Sequence, residues 1–322
     1  MKFGELKADS LSDPRIHRQV PMRGYVIVLS GTLIWALTGI VIKILLTQYH
    51  LETMTIAFWR VFFVTAFVFV ALVLLDVKQL AIARRDLPVF ALYGLIGMAA
   101  HQIVWITSVQ YNGAAVATVI IYTSPALVAL FAWRFMRETM DLSKFAALAL
   151  TILGIVLIAR AYDPIQIRLN AIGLAAGIGS AFTFATYSVI GRTVTRRYSA
   201  WTSLFYAFLF GSIFLLPVSL IVHDFVPATL SFDGWGTLVF LALVPTLGGF
   251  GAYTVGLSHL PASVASILAA AEPVTTAIIA YFVFGEVLDA PQLVGAALIL
   301  AGVLMLRPKR DSSIKSAPLG PQ

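Results

Sequence analysis

The 322-residue chain has no cysteine. Disulfides, thiolate metal sites and cysteine nucleophiles are therefore excluded together. Charge is scarce as well: Asp, Glu, Lys and Arg make up 11% of the residues against 60% hydrophobic. An ordinary soluble domain carries about 25% charged residues, so that class is excluded too. The formal net charge of +7 would suit a nucleic-acid binder, but the basic residues stand at the ends of apolar runs. Membrane topology accounts for them there, and no nucleic-acid partner is expected. HExxH, GxSxG, a pair of intramembrane aspartates and a Walker-type phosphate loop are all missing. The metal, serine and di-aspartyl routes to an enzyme thus lack parts, ATP hydrolysis lacks its loop, and neither cofactor nor metal is expected. The first apolar stretch is not followed by a small-residue cleavage site, so it reads as a retained helix rather than a signal peptide.

What the chain does have is apolar runs of bilayer-spanning length. Ten spans are expected, at about 24–47, 55–75, 87–111, 114–136, 143–161, 170–191, 201–222, 234–257, 261–284 and 289–306. Short turns such as Asn112-Gly113 and Leu260-Pro261 join them as antiparallel neighbours. With the N-terminus inside, 18 of the 22 lysines and arginines fall on the inner side, leaving Lys43, Arg60, Arg160 and Arg168. That bias places both termini in the cytoplasm.

One stretch, Ala262 to Glu286, carries a carboxylate, Glu272, near its middle and immediately before Pro273. An acid at that depth costs roughly 2.5–3.5 kcal/mol on insertion scales and usually faces a cavity or a partner. The proline removes a helix hydrogen bond and frees the carbonyl of Ala269. The stretch has a gap-free echo 148 residues earlier: Ala114, Val116, Ala117, Pro125, Ala129, Ala132, Glu138, Asp141 and Gly154 match Ala262, Val264, Ala265, Pro273, Ala277, Ala280, Glu286, Asp289 and Gly302. Five spans per copy is an odd number, so the second copy enters the membrane upside down. The expected fold is an all-α membrane protein of ten transmembrane helices forming two inverted five-helix repeats. Residues 1–23 form a cytoplasmic tail, 24–161 the first repeat, 170–306 the second, and 307–322 a second cytoplasmic tail.

The A-A-V-A…P…E…G and A-S-V-A…EP…GE…G patterns resemble EamA-type members of the drug/metabolite transporter superfamily. The likeness covers about 24–306 and is strongest over spans 4–5 and 9–10. In the first copy Ser124 stands where Glu272 stands in the second. The resemblance implies a central cavity lined by spans 1, 3, 4, 6, 8 and 9, with spans 5 and 10 on the periphery. It further implies a secondary transporter of the bacterial inner membrane that exports small metabolites such as amino acids by alternating access. A multidrug or other-solute permease of the same fold is the alternative. An intramembrane enzyme fits less well for want of the metal, serine and di-aspartyl motifs, and a channel because the polar residues cluster at one level.

Glu272 reads either as a ligand for a substrate amine or proton, or as a structural carboxylate bonded to a neighbouring helix. His101, at helical spacing from Gly94, Gly97, Trp105 and Ser108, is a polar ligand or proton acceptor, or an interhelical hydrogen bond. Lys43 and Arg60 lie near the outer ends of their spans, where their stems can snorkel to water; the other reading is a positive vestibule for a carboxylate. Trp35, Tyr122, Tyr187 and Tyr253 either wall a pocket or fill helix contacts. Pro125, Pro273 and Pro245 are candidate hinges or kinks. The small-residue stripes Gly295/Gly302 and Ala147/Gly154 fit an intramolecular contact or a homodimer face equally. The expected partners are a small-molecule substrate and the lipid bilayer.

Overall fold

The computed structural model describes residues 22–163, 170–221, 230–285 and 287–306. Most of the two expected tails, Arg168 and Glu286 lie outside the described residues. Among the described residues the chain is helical, with no strand. The helices are α1 (Met22–Trp35), α2 (Leu37–Thr47), α3 (Thr53–Asp76), α4 (Leu87–Gly94), α5 (His101–Ile121), α6 (Ser124–Met136) and α7 (Leu142–Ile158). They continue with α8 (Ala171–Val194), α9 (Ala200–Ser219), α10 (Phe232–Leu241), α11 (Gly249–His259), α12 (Ala262–Ala269), α13 (Glu272–Phe284) and α14 (Ala290–Met305).

Helix occupies all ten stretches read as spans. Among the described residues, eight units are long and apolar enough to cross a membrane. α7 and α14, at 17 and 16 residues, are shorter apolar helices. Their outward faces are apolar, as bilayer contact requires: Phe62, Phe67, Phe69, Val70 and Leu74 of α3 are all exposed. Polar caps stand at the helix ends. Asn170 accepts from Ile172 N and Gly173 N, Ser199 accepts from Thr202 N, and Asp289 forms a capping box with Gln292. The turn at Asn112-Gly113 is made by Gly113 with φ 78°, a conformation that costs a residue bearing a Cβ far more.

Several spans are broken midway, and those breaks lack side-chain caps. α1 stops at Trp35 and α2 begins at Leu37; α5 gives way to α6 at Tyr122–Thr123, and α12 to α13 at Ala270–Ala271. The last two lie 148 positions apart, at the same register of the sequence echo. Proline in a continuous helix would bend it; here Pro125 and Pro273 occupy the first turn of a new helix, where the missing N–H is not needed. The expected kink is thus an interruption. Short π-helical segments at Leu95–Ala100 and Ala242–Gly248 recur in the same way, and Pro245 sits inside the second. A π segment adds a residue to a turn and rotates everything after it.

The small-residue stripes meet each other inside the chain, where α7 packs along α14. A Cβ on Gly154 would lie 2.5 Å from the Gly295 carbonyl, and one on Gly295 would lie 2.6 Å from that of Gly154. Backbone cannot yield as a flexible side chain can, so Gly154→Val is expected to push the helices apart and cost about 1–3 kcal/mol. A thermal-unfolding midpoint in detergent equal to that of the native chain would contradict this packing.

Candidate functional site

The broken spans border one cavity of about 730 Å³. Its wall combines Trp35, Thr38 and Lys43 of α1–α2, Arg60 of α3, His101, Gln102 and Trp105 of α5, and Ser124 and Pro125 of α6. α13 contributes Glu272, Pro273 and Thr276. The lining reaches helix ends at Thr47, Thr53, Leu288 and Gln292, so the cavity opens towards that end of the bundle.

Glu272 begins α13, half-buried, and its Oε2 accepts a 2.8 Å hydrogen bond from the Tyr122 hydroxyl. Tyr122 closes α5, so this bond ties one broken span to the other across 150 residues of sequence. A carboxylate in the first turn of a helix also benefits from the dipole there. Thr276, one turn on, donates to the carbonyl of Ala36, the residue between α1 and α2, at 3.4 Å. His101 is buried and pairs through Nδ1 with Thr183 Oγ1 at 3.0 Å. Lys43 is exposed.

The structure departs from the sequence reading at several residues. Arg60 does not snorkel to the helix end: it is 7% exposed, its side chain lines the cavity, and its Nε is buried with no hydrogen-bond partner among the described residues. Tyr187 and Tyr253 do not line the cavity. Both are fully buried below it, bonded to Thr254 Oγ1 at 3.0 Å and Ser188 Oγ at 2.7 Å respectively. On these two helices the rings that line it are Phe184 and Phe250, three residues earlier. Trp35 packs against both at a tilt, with centroids 4.4 Å from Phe250 and 6.0 Å from Phe184. The polar face expected around His101 is also divided. Trp105 joins His101 on the cavity, whereas Gly94 abuts α9, Gly97 lies under Tyr187, and Ser108 is buried against Gly177 of α8. The π segment at Leu95–Ala100, invisible to a 3.6-residue count, rotates Gly94 and Gly97 off that face. Pro245 lies away from the cavity, inside its own π segment.

At the far end of the bundle hydrogen bonds tie the helix ends together. Glu138, just past α6, accepts from Ala262 N at 2.8 Å, Ser263 N at 3.3 Å and the Ser263 hydroxyl. Lys144 Nζ donates to Ser263 Oγ at 3.1 Å and the Thr139 carbonyl at 2.8 Å, and Arg192 donates to the Leu257 carbonyl. Sequence comparison alone marked Glu138 only as a repeat match.

A model of the EamA-like transporter family matches this chain twice, over residues 22–160 and 171–307. The chain belongs to the EamA-like transporter family. It is 28% identical over 254 residues to an uncharacterised transporter of Archaeoglobus fulgidus, covering 79% of this chain and 86% of that protein. It is 30% identical to a probable terminal-alkyne amino-acid exporter of Streptantibioticus cattleyicolor, covering 69% and 73% of the two chains. An uncharacterised inner membrane transporter of Salmonella typhimurium is 22% identical across 88% of this chain and 95% of its own. A crystal structure 16% identical superposes with a TM-score of 0.74 over 88% of this chain and 96% of that one, a likeness of fold. This EamA-family chain is accordingly a multi-pass membrane transporter.

Proposed function

We propose that the chain is a secondary carrier that moves small amphipathic solutes, amino acids among them, out of the cell by alternating access around this cavity. The observation that carries the reading is a space at the paired helix breaks, open towards one set of helix ends, with Glu138 tying the start of α12 at the other. α7 and α14 count as spans in this reading, making ten, and residues 24–161 and 170–306 form two halves of opposite orientation. Support comes from the two family matches, the matched breaks and the matched π segments. Both termini are cytoplasmic in the bacterial inner membrane, so the cavity faces outward. The exporter relative in Streptantibioticus cattleyicolor supports an amino-acid-like cargo; a multidrug or other-solute permease uses the same geometry.

A cysteine-free chain permits a clean test of the orientation. Tyr111→Cys should react with an impermeant maleimide in intact cells, and His259→Cys, its counterpart 148 residues on, only after permeabilisation. Reaction of both from one side would contradict the inverted halves. Counterflow of labelled cargo in proteoliposomes separates a carrier, which shows it, from a channel, which does not.

A further inference from the structure

Arg60 stands seven residues past the start of α3, about 10 Å along its axis. A guanidinium is always charged, and placing one within a membrane helix costs roughly 2.5–3.5 kcal/mol on insertion scales. Such a group is normally paired with an acid or with backbone carbonyls. Arg60 is 93% buried, lines the cavity, and keeps its Nε unbonded among the described residues. Glu272, the acid lining the same cavity, is engaged by Tyr122 rather than by Arg60. Arg60 thus stands on the wall of a space with a buried donor left unmatched, and the matching partner for a planar fork of N–H groups is a planar anion.

We infer that Arg60 is the anion-recognising post of the cavity and that the transported solute carries a carboxylate, or a comparable oxyanion, which the guanidinium grips. The inference rests on the carrier reading and names its cargo class. Lys43, exposed between Arg60's level and the open helix ends, draws anions inward. Trp35 and Trp105 supply apolar wall for the rest of the solute. A solute bearing a cationic group as well would also satisfy Glu272. Lysine keeps the charge of Arg60 but not the fork, so Arg60→Lys should still attract anions while gripping a carboxylate poorly.

Two of the six tryptophans line the cavity and report on it directly. In phosphatidylcholine nanodiscs, where no anionic headgroup competes, iodide should quench tryptophan emission more than caesium does at equal ionic strength. Arg60→Met should lower the iodide quenching constant at least twofold, with quenching by neutral acrylamide unchanged. Arg60→Lys should restore it. If acrylamide quenching rises in the methionine variant, showing a loosened fold, Arg60→Gln is read in its place by the same criterion. Iodide quenching that is indifferent to residue 60 would overturn the inference. So would its abolition by added phosphatidylglycerol, which would assign the post to a lipid headgroup. In cells, profiling of the medium should show carboxylate-bearing solutes exported by the native chain and reduced at least tenfold by Arg60→Met. Equal export by both of solutes lacking any acid group would likewise overturn it. Identical media from cells with and without the native chain would instead count against the carrier reading, leaving the quenching result to decide Arg60.

Discussion

Glu272→Gln is expected to lower the initial rate of export at least tenfold while expression, insertion and thermal stability stay near native. Glutamine has the same shape, and its Oε1 still accepts a hydrogen bond from Tyr122, now held at 2.8 Å. What it loses is the charge and the ability to hold a proton. A hydrogen bond to a charged group contributes about 1.5–3 kcal/mol, so losing it to an ammonium or proton ligand reads as roughly tenfold or more in rate. The bland reading, in which Glu272 only pins α13 to α5, makes the opposite forecast. Under it, Tyr122→Phe and Glu272→Gln would reduce stability together and leave transport per folded molecule intact. Transport counted per folded protein in proteoliposomes therefore separates the two, and full activity in Glu272→Gln removes the residue from the mechanism.

Much of this arrangement was legible because it repeats. The 148-residue offset aligned Pro125 with Pro273 without a gap, and the structure breaks both spans at that register. Glu272, His101, Trp35, Trp105 and Tyr122 stand on the cavity wall because a polar or amphipathic side chain within a long apolar run has few other tolerable places. Rotation about the helix axis was less legible. A π segment changes the residue count per turn, so Gly94 and Gly97 leave the face of His101 while no composition signal marks the change. Depth misled in a related way: seven residues from a helix start, Arg60 is within snorkelling reach by length alone, and only the packing around α3 turns it inward. Tyr187 and Tyr253 satisfy their hydroxyls on Thr254 and Ser188 within the bundle, which removes the reason for expecting them on a wet surface.

The sealed end carries the second large expectation: Glu138→Ala should open it. α12 begins after Pro261, whose side chain has no oxygen to cap the first N–H groups, and no side-chain cap from its own residues is present. Glu138 arrives from the other half of the chain and accepts two of them, at Ala262 and Ser263, together with the Ser263 hydroxyl. A carboxylate at a helix N-terminus gains from the dipole as well as from the hydrogen bonds. Truncation to alanine strands those donors between packed helices, at about 1–3 kcal/mol for each one that water does not reach. The arrangement with this end shut loses that stabilisation, whereas an arrangement with the end open, where water takes the donors, loses little. Two kcal/mol corresponds to about a thirtyfold shift in population. Amide hydrogen exchange over 258–268 should therefore accelerate at least tenfold in Glu138→Ala. Glu138→Gln, which keeps one acceptor oxygen, should fall between the two. Transport should drop in both variants, because a carrier that no longer holds one gate shut while the other opens cannot keep the two sides apart. Exchange at Ala262 and Ser263 that is unchanged by either substitution would show that the helix start is protected by something other than Glu138, and the gate would have to be sought elsewhere.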